Sequence, residues 1–183
     1  MTTPRRGNDD GITLVELIIV VIVGAVLLGG VAIMFANGLT SQAQAADRDL
    51  ATGRATVIAN SLQTSIRNAD AVKVEPDQHT VRAVVAMPAG GWECRAWALT
   101  AGGEMKYKTS ASSIALDNVD AWTTLAPGVT GSLASADGPV PFAMSASGRQ
   151  LSIGLVVAAG DVTVPIHSGV TAQARVEGSG PCW

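Results

Sequence analysis

The pattern of polarity along the chain changes character three times. Residues 17–36, LIIVVIVGAVLLGGVAIMFA, carry no charge. At about 1.5 Å of rise per residue, a helix of that length spans the roughly 30 Å hydrocarbon core of a bilayer, so a membrane-spanning helix is predicted here. Residues 40–70 contain no Pro, and Leu50, Val57, Ile58, Leu62, Ile66 and Ala69 come close to the i, i+3, i+4, i+7 spacing of an amphipathic helix. The helix is expected to continue through them. Asp47, Arg48, Asp49, Arg54, Gln63 and Arg67 are then expected on a solvated face.

From Val72 onward the period falls to two. Residues 72–75, 80–86, 93–99 and 105–109 alternate or are rich in β-formers, and Gly90-Gly91 and Gly102-Gly103 break them as turns do. An antiparallel meander is predicted. Residues 110–149 hold Pro127, Gly128, Gly138, Pro139 and Pro141 and read as mostly loop with short strands. Residues 151–157, a turn at 158–161 and residues 162–166 read as a hairpin, with residues 170–176 as one more strand. The predicted fold class is α+β: one long N-terminal helix, transmembrane in its first half and amphipathic in its second, packed on an antiparallel β-sheet.

Charge around the apolar run sets a direction. Arg5 and Arg6 precede it and no Lys or Arg follows until Arg48, so the N-terminus is expected to stay cytoplasmic and the chain after residue 37 to be exported. A secretory signal peptide has a shorter apolar region, of about 7–15 residues, ending at a small-x-small site. Ala32-Ile33-Met34 and Ala36-Asn37-Gly38 fit such a site poorly. A plain signal anchor explains length and orientation but not Glu16, which lies one residue before the uncharged run and behind the apolar Ile12, Leu14 and Val15. An acidic side chain inside a membrane helix costs about 2.5–3.5 kcal/mol on insertion scales, less near the interface, and calls for a partner.

Gly11-Ile12-Thr13-Leu14-Val15-Glu16-Leu17, followed by the apolar helix, resembles the N-terminal segment of type IV prepilins. The resemblance implies that a prepilin peptidase in the membrane cleaves after Gly11 and methylates the new amino terminus at Ile12. It also implies an assembly role for Glu16. Cleavage leaves a positive amine among apolar side chains, and a buried charge is expensive unless it meets its opposite. The Glu16 carboxylate of one subunit would neutralise the Ile12 amine of its neighbour and set axial register. Two positions depart from the family pattern: Ile12 stands where Phe is most frequent, and Asp9 and Asp10 make the leader less basic than usual.

The organisation this implies is a leader peptide at 1–11, a transmembrane and assembly helix at 12–37, its amphipathic continuation at 38–70 and an exported, β-rich pilin-like domain at 71–183. The implied function is that of a structural subunit of a type IV pilus or a related secretion or uptake filament. Its partners would be other pilin or pseudopilin subunits, the prepilin peptidase, a membrane assembly platform and membrane lipid. Looser echoes, the Trp92 to Leu99 segment with its Gly-Gly turn and Met105-Lys106-Tyr107, the late strands from Leu151, and the helix end Leu62-x-x-x-Ile66-Arg67-Asn68-Ala69, resemble minor pilins and pseudopilins of the PilW/PulJ type. They favour a minor subunit. Gly24, Gly29 and Gly30, each costing roughly 1 kcal/mol relative to Ala inside a helix, read either as ordinary membrane-helix glycines or as a segment that loosens on assembly.

Composition narrows the remaining classes. A chain of 183 residues suits one compact domain plus an appendage. A net charge of −3 provides no basic field for phosphates, so nucleic acid is not an expected partner. The two cysteines, Cys94 and Cys182, are expected to form a disulfide in an exported domain. The only histidines are His79 and His167, too few for a metal site with those cysteines, and no cofactor is expected. No nucleophile elbow, phosphate loop, dinucleotide fingerprint or zinc-binding helix motif is present, and the chain does not read as an enzyme. Asp117, Asp120, Asp137 and Asp161 sit where turns need them. Trp92, Trp97, Trp122 and Trp183 are expected mainly in the sheet core. Two other readings stay open: a filament-tip module gripping DNA, carbohydrate or a surface through the 110–149 loops with Trp122 and Arg149, and a membrane-anchored hydrolase, which no residue recommends.

Overall fold

The computed structural model of the protein describes residues 13–87, 91–173 and 182–183. Two compact units are present, residues 1–43 and residues 44–183. Helix α1, Leu14–Arg67, is continuous over 54 residues. In the first unit every large apolar side chain that α1 carries is exposed, from Leu14 at 74% to Leu39 at 53%. It is the one helix among the described residues long and apolar enough to cross a membrane, and its apolar window has no buried residue.

In the second unit α1 buries Ala51, Ala55, Ile58, Leu62 and Ile66. This corrects the expected stripe, because Leu50 and Val57 are each 49% exposed. A stripe fixed by Ile58, Leu62 and Ile66 runs back in steps of three or four through Ala55 and Ala51, and a neighbouring position lies about 100° round the helix. Side-chain size did not decide burial; angular position did. The helix also stops earlier than expected. It ends at Arg67, and Ala69 opens the first strand, β1 (Ala69–Val74). The Arg67 carbonyl, one of the orphans at a helix end, accepts the Gln173 N–H at 3.3 Å.

Strand β1 is followed by β2 (Thr80–Ala86), β3 (Trp92–Leu99), β4 (Glu104–Ser110) and β5 (Thr123–Pro127), which form the predicted antiparallel meander in the order β1-β2-β3-β4-β5. Val81 pairs with Trp97, and Trp97 with Tyr107. The remaining strands make a second sheet. In it β8 (Gln150–Ala159) is central, β9 (Val162–Thr171) takes one edge, and β6 (Val129–Gly131) and β7 (Phe142–Met144) share the other. The chain passes between sheets at Gly128, whose φ is +72° and whose position leaves a side-chain carbon only 2.7 Å from the Ala158 carbonyl oxygen. Ala158 donates its N–H to the Gly128 carbonyl at 2.7 Å. Gly128→Ala would force both the backbone and this contact, and a loss of about 1–3 kcal/mol in denaturant unfolding is expected.

The final hairpin differs from the sequence reading. Instead of two strands separated near Ser168, β9 runs unbroken for ten residues through Pro165. The tolerance has a geometric cause. Ala172 donates its N–H to Arg149, which fixes even-numbered N–H groups toward β8 and odd ones outward. Pro165 therefore lacks a donor only on the unpaired edge, where Pro is permitted. Residues 174–176, which the expected last strand also included, lie outside the described residues.

The β8–β9 hairpin contacts α1 at several points. Arg54 Nη1 donates to the Ala158 carbonyl at 3.0 Å, Gln63 Nε2 to Ser168 Oγ at 3.2 Å, and Gln173 N–H to Arg67 as above. The Asp47 carboxylate occupies the space a side chain at Gly160 would need. Arg54 and Gln63 thus do not form a free solvated face but hydrogen-bond the β8–β9 hairpin to the helix, and Asp47 packs against its turn at Gly160.

The main core joins Ile58, Leu62 and Ile66 of α1 to Val81, Trp97 and Met105 of the first sheet and to Phe142, Leu151, Ile153 and Leu155 of the second. A smaller core lies on the opposite face of the first sheet, around Val84, Cys94, Ala96, Ala98, Ile114, Trp122 and Cys182. The expected α+β arrangement, a long N-terminal helix packed on antiparallel β-structure, is present.

Candidate functional site

In the first unit, Thr13 stands immediately before the helix and its hydroxyl oxygen accepts the Glu16 N–H at 3.3 Å. Thr-x-x-Glu is the residue pattern of a capping box, in which an N-cap hydroxyl satisfies the orphan donor at the third helical position. Glu16 is exposed in the first turn, where the helix dipole favours a negative charge. Its carboxylate forms no ion pair among the described residues. Gly11 and Ile12, the expected cleavage and methylation positions, lie outside the described residues. Side chains at Gly24, Gly29 and Gly30 would meet nothing within 4 Å among the described residues, so packing among those residues does not require the glycines.

In the second unit Cys94 and Cys182 are bonded, with Cα atoms 5.4 Å apart and a sequence separation of 88. The bridge holds the chain end against the face of the first sheet opposite α1. Arg82 strengthens the attachment. It is nearly buried, donates Nε to Glu75 Oε1 at 2.6 Å, donates Nη1 to the Cys182 carbonyl at 3.3 Å and lies 5.7 Å from the Trp183 ring centroid. A buried guanidinium needs such partners, and here a carboxylate, a carbonyl and an aromatic face supply them.

On the α1 side of the sheet, Trp97 is fully buried, donates Nε1 to Ser61 Oγ at 2.9 Å and packs on Tyr107 with ring centroids 5.3 Å apart. Arg95 pairs with Glu93 at 2.6 Å and donates Nη1 to Ser65 Oγ at 2.9 Å. Ser61 and Ser65, one turn apart on α1, thereby fix the helix on β3. Sequence reading missed them, although polar residues four apart beside a buried stripe were a usable signal. Arg82 was missed too, and an Arg inside the apolar Thr80-Val81-Arg82-Ala83-Val84 run was the sign.

Burial pushes the Tyr107 hydroxyl above its ordinary pKa of 10.0, with Arg95 pulling it back down and Glu93 adding to the rise. A group that holds its proton more tightly when folded gives stability that is full below the unfolded value and is lost as pH rises through the native one. Unfolding of the protein should therefore show an alkaline loss of stability between about pH 10 and higher pH that Tyr107→Phe flattens. Equal slopes for the two proteins would contradict it.

The other candidate groups do not converge. Trp122 is 6% exposed, which leaves little ring surface for stacking a sugar or base, whereas Trp92 is half exposed at the start of β3. The His79 Nδ1 is 2.6 Å from the Asp77 carbonyl, at the rim of an open cleft of about 330 Å³ lined by Leu99, Thr100, Val129 and Pro139. His167 is exposed on β9. Among the described residues no three His, Cys, Asp or Glu side chains are grouped so as to hold a metal.

The apolar helix, its capped start and the lone carboxylate of its first turn thus form the one chemically distinctive segment, and comparison with known proteins bears on that segment. Residues 6–32 match the prokaryotic N-terminal methylation motif. The methylation motif begins at Arg6, spans Gly11, Ile12 and Glu16 and ends within the apolar run. No curated protein and no solved structure is similar enough to be matched to this chain. The chain therefore carries a prepilin-like methylation motif on a pilin-like α+β fold, with a single N-terminal helix suited to anchoring it in a membrane. The motif supports a structural role of the pilin or pseudopilin kind, processing by a prepilin peptidase and assembly with other such subunits.

Proposed function

We propose that the protein is a subunit of a type IV pilus or a related secretion or uptake filament, processed after Gly11 and methylated at Ile12. Glu16 carries the reading. A carboxylate in the first turn of an otherwise uncharged membrane helix is costly, and it is accounted for if the Ile12 amine of a neighbouring subunit meets it during assembly. The leader with Arg5 and Arg6 remains cytoplasmic, and the domain of residues 44–183 is exported, where the Cys94–Cys182 bridge is chemically favoured. The disulfide-tied chain end and the Trp92 to Tyr107 strand pair support a minor subunit of the PilW/PulJ kind over an abundant one. Proposed partners are other pilin or pseudopilin subunits, the prepilin peptidase, the assembly platform and membrane lipid. The expected result is co-sedimentation of the chain with filaments sheared from cells that have the peptidase, and its retention in the membrane fraction of cells that lack it. Retention in the membrane in both would contradict the proposal.

A further inference from the structure

We propose that the cleft beside His79 binds a short, uncharged, extended peptide segment of another protein, which adds as a strand to the outer edge of β6. The cleft, of about 330 Å³, lies where the two sheets meet. His79 precedes β2 and Leu99 ends β3 on one side, and Val129 and Gly131 are the two ends of β6 on the other.

The β6 wall supplies the pairing groups. Ala158 donates its N–H to the Gly128 carbonyl and Ser132 donates to Gly154, so even-numbered residues here face β8. Val129 and Gly131 therefore turn their backbone groups outward. The Val129 N–H is taken by the Gly103 carbonyl at 2.8 Å. Two residues on, Gly131 turns its N–H and carbonyl to the same side and lines the cleft, and neither group has a hydrogen-bond partner among the described residues. A donor and an acceptor on one residue of a strand edge are what the backbone of an added strand pairs with.

The other walls restrict the guest. Leu99 and Val129 are buried and Pro139 adds apolar surface, while no Asp, Glu, Lys or Arg among the described residues lines the cleft. A charged guest would lose its water there and gain no partner. No Phe, Tyr or Trp ring is present for a sugar to stack on, whereas strand pairing uses backbone groups already in place. The His79 wall is fixed. Its Nδ1 lies 2.6 Å from the Asp77 carbonyl, which can only accept, so Nδ1 carries the proton and Nε2 of the neutral ring is left as an acceptor. Asp77 Oδ1 takes the His79 N–H at 3.0 Å. The neighbouring Gln78 has a φ of +57°, the only positive value outside glycine among the described residues, and it accepts the Ser135 hydroxyl at 2.9 Å and the Phe142 N–H at 3.3 Å. Such a conformation persists where its surroundings over-determine it, as they do at ligand clamps. With three residues, β6 limits the guest to about 10 Å of chain, at about 3.3 Å per residue.

The test is an NMR titration of the isotope-labelled full chain in detergent micelles with the blocked tripeptide acetyl-Thr-Val-Thr-amide. A saturable shift of the Gly131 amide is expected in the millimolar range. The same peptide with its three residue nitrogens methylated lacks the donors and should bind at least about fivefold more weakly, the equivalent of one hydrogen bond of about 1 kcal/mol. Ala101→Trp, at an exposed position on the cleft wall, should abolish the shift while leaving the melting midpoint within about 3 °C of the unaltered chain. Absence of a saturable shift in the unaltered chain would overturn the inference, as would equal binding of the methylated peptide or binding that survives in a folded Ala101→Trp chain. Tighter binding of maltotriose than of the tripeptide would assign the cleft to a sugar and overturn it as well.

Discussion

Glu16→Ala is expected to remove the chain from filaments while leaving the domain of residues 44–183 folded. The side chain is exposed in the first turn of α1 and makes no contact that holds the second unit together. Its proposed partner, the Ile12 amine of a neighbour, would be left as an unpaired charge among apolar helices. Removing one member of a buried pair costs about 3–5 kcal/mol, which is a hundredfold or more at about 1.4 kcal/mol per tenfold. Glu16→Gln should behave similarly, because the amide fills the space without the charge. The readout is the share of the chain in sheared filaments against the share in the membrane, alongside the thermal midpoint of the domain. Normal incorporation of Glu16→Ala would remove the electrostatic account of register.

Breaking the Cys94–Cys182 bridge is expected to have the largest effect on stability. In the chain-entropy model, closing a loop of 88 residues is worth up to about 4–5 kcal/mol. The native state loses packing as well, because Cys182 and Trp183 help cover the small core around Val84, Ala96, Ala98 and Trp122. Paired Cys94→Ala and Cys182→Ala substitutions should lower the melting midpoint of the second unit by roughly 10–20 °C, and a reductant should do the same to the unaltered protein. Arg82 loses its Cys182 carbonyl when the chain end leaves, so the Glu75 pair alone would then hold a nearly buried guanidinium. A shift of less than about 2 °C would mean that Arg82 and Trp183 retain the chain end without the bridge.

What could be read without coordinates followed from local physics. The membrane helix is a matter of length and missing charge, and the first four meander strands are legible as short runs of β-formers between turns; β2 and β3 are buried on both faces, one in the main core and one in the small core. The Thr13-Leu14-Val15-Glu16 run is legible on two levels, as a helix start and as part of the methylation motif. What escaped depends on distant partners. Nothing near Asp47 or Arg54 indicates that a hairpin more than a hundred residues later will sit against them. Leu50 and Val57 outrank Ala51 and Ala55 in hydrophobicity, yet the angular position set by Ile58 and Leu62 placed the alanines inward. Pro165 looks like a strand end until its neighbour is known, since only an outer edge tolerates the missing donor. The division into two sheets turns on Gly128, one of several turn-like glycines in a stretch that otherwise reads as loop.

The central claim is that the chain is a processed filament subunit, and the mass of its N-terminus tests it most directly. Mature protein isolated from sheared filaments should begin at Ile12, lack residues 1–11 and carry one additional methyl group on the Ile12 amine. Filament-associated protein that still begins at Met1, or any cut that leaves Gly11 attached to Ile12, would contradict the account.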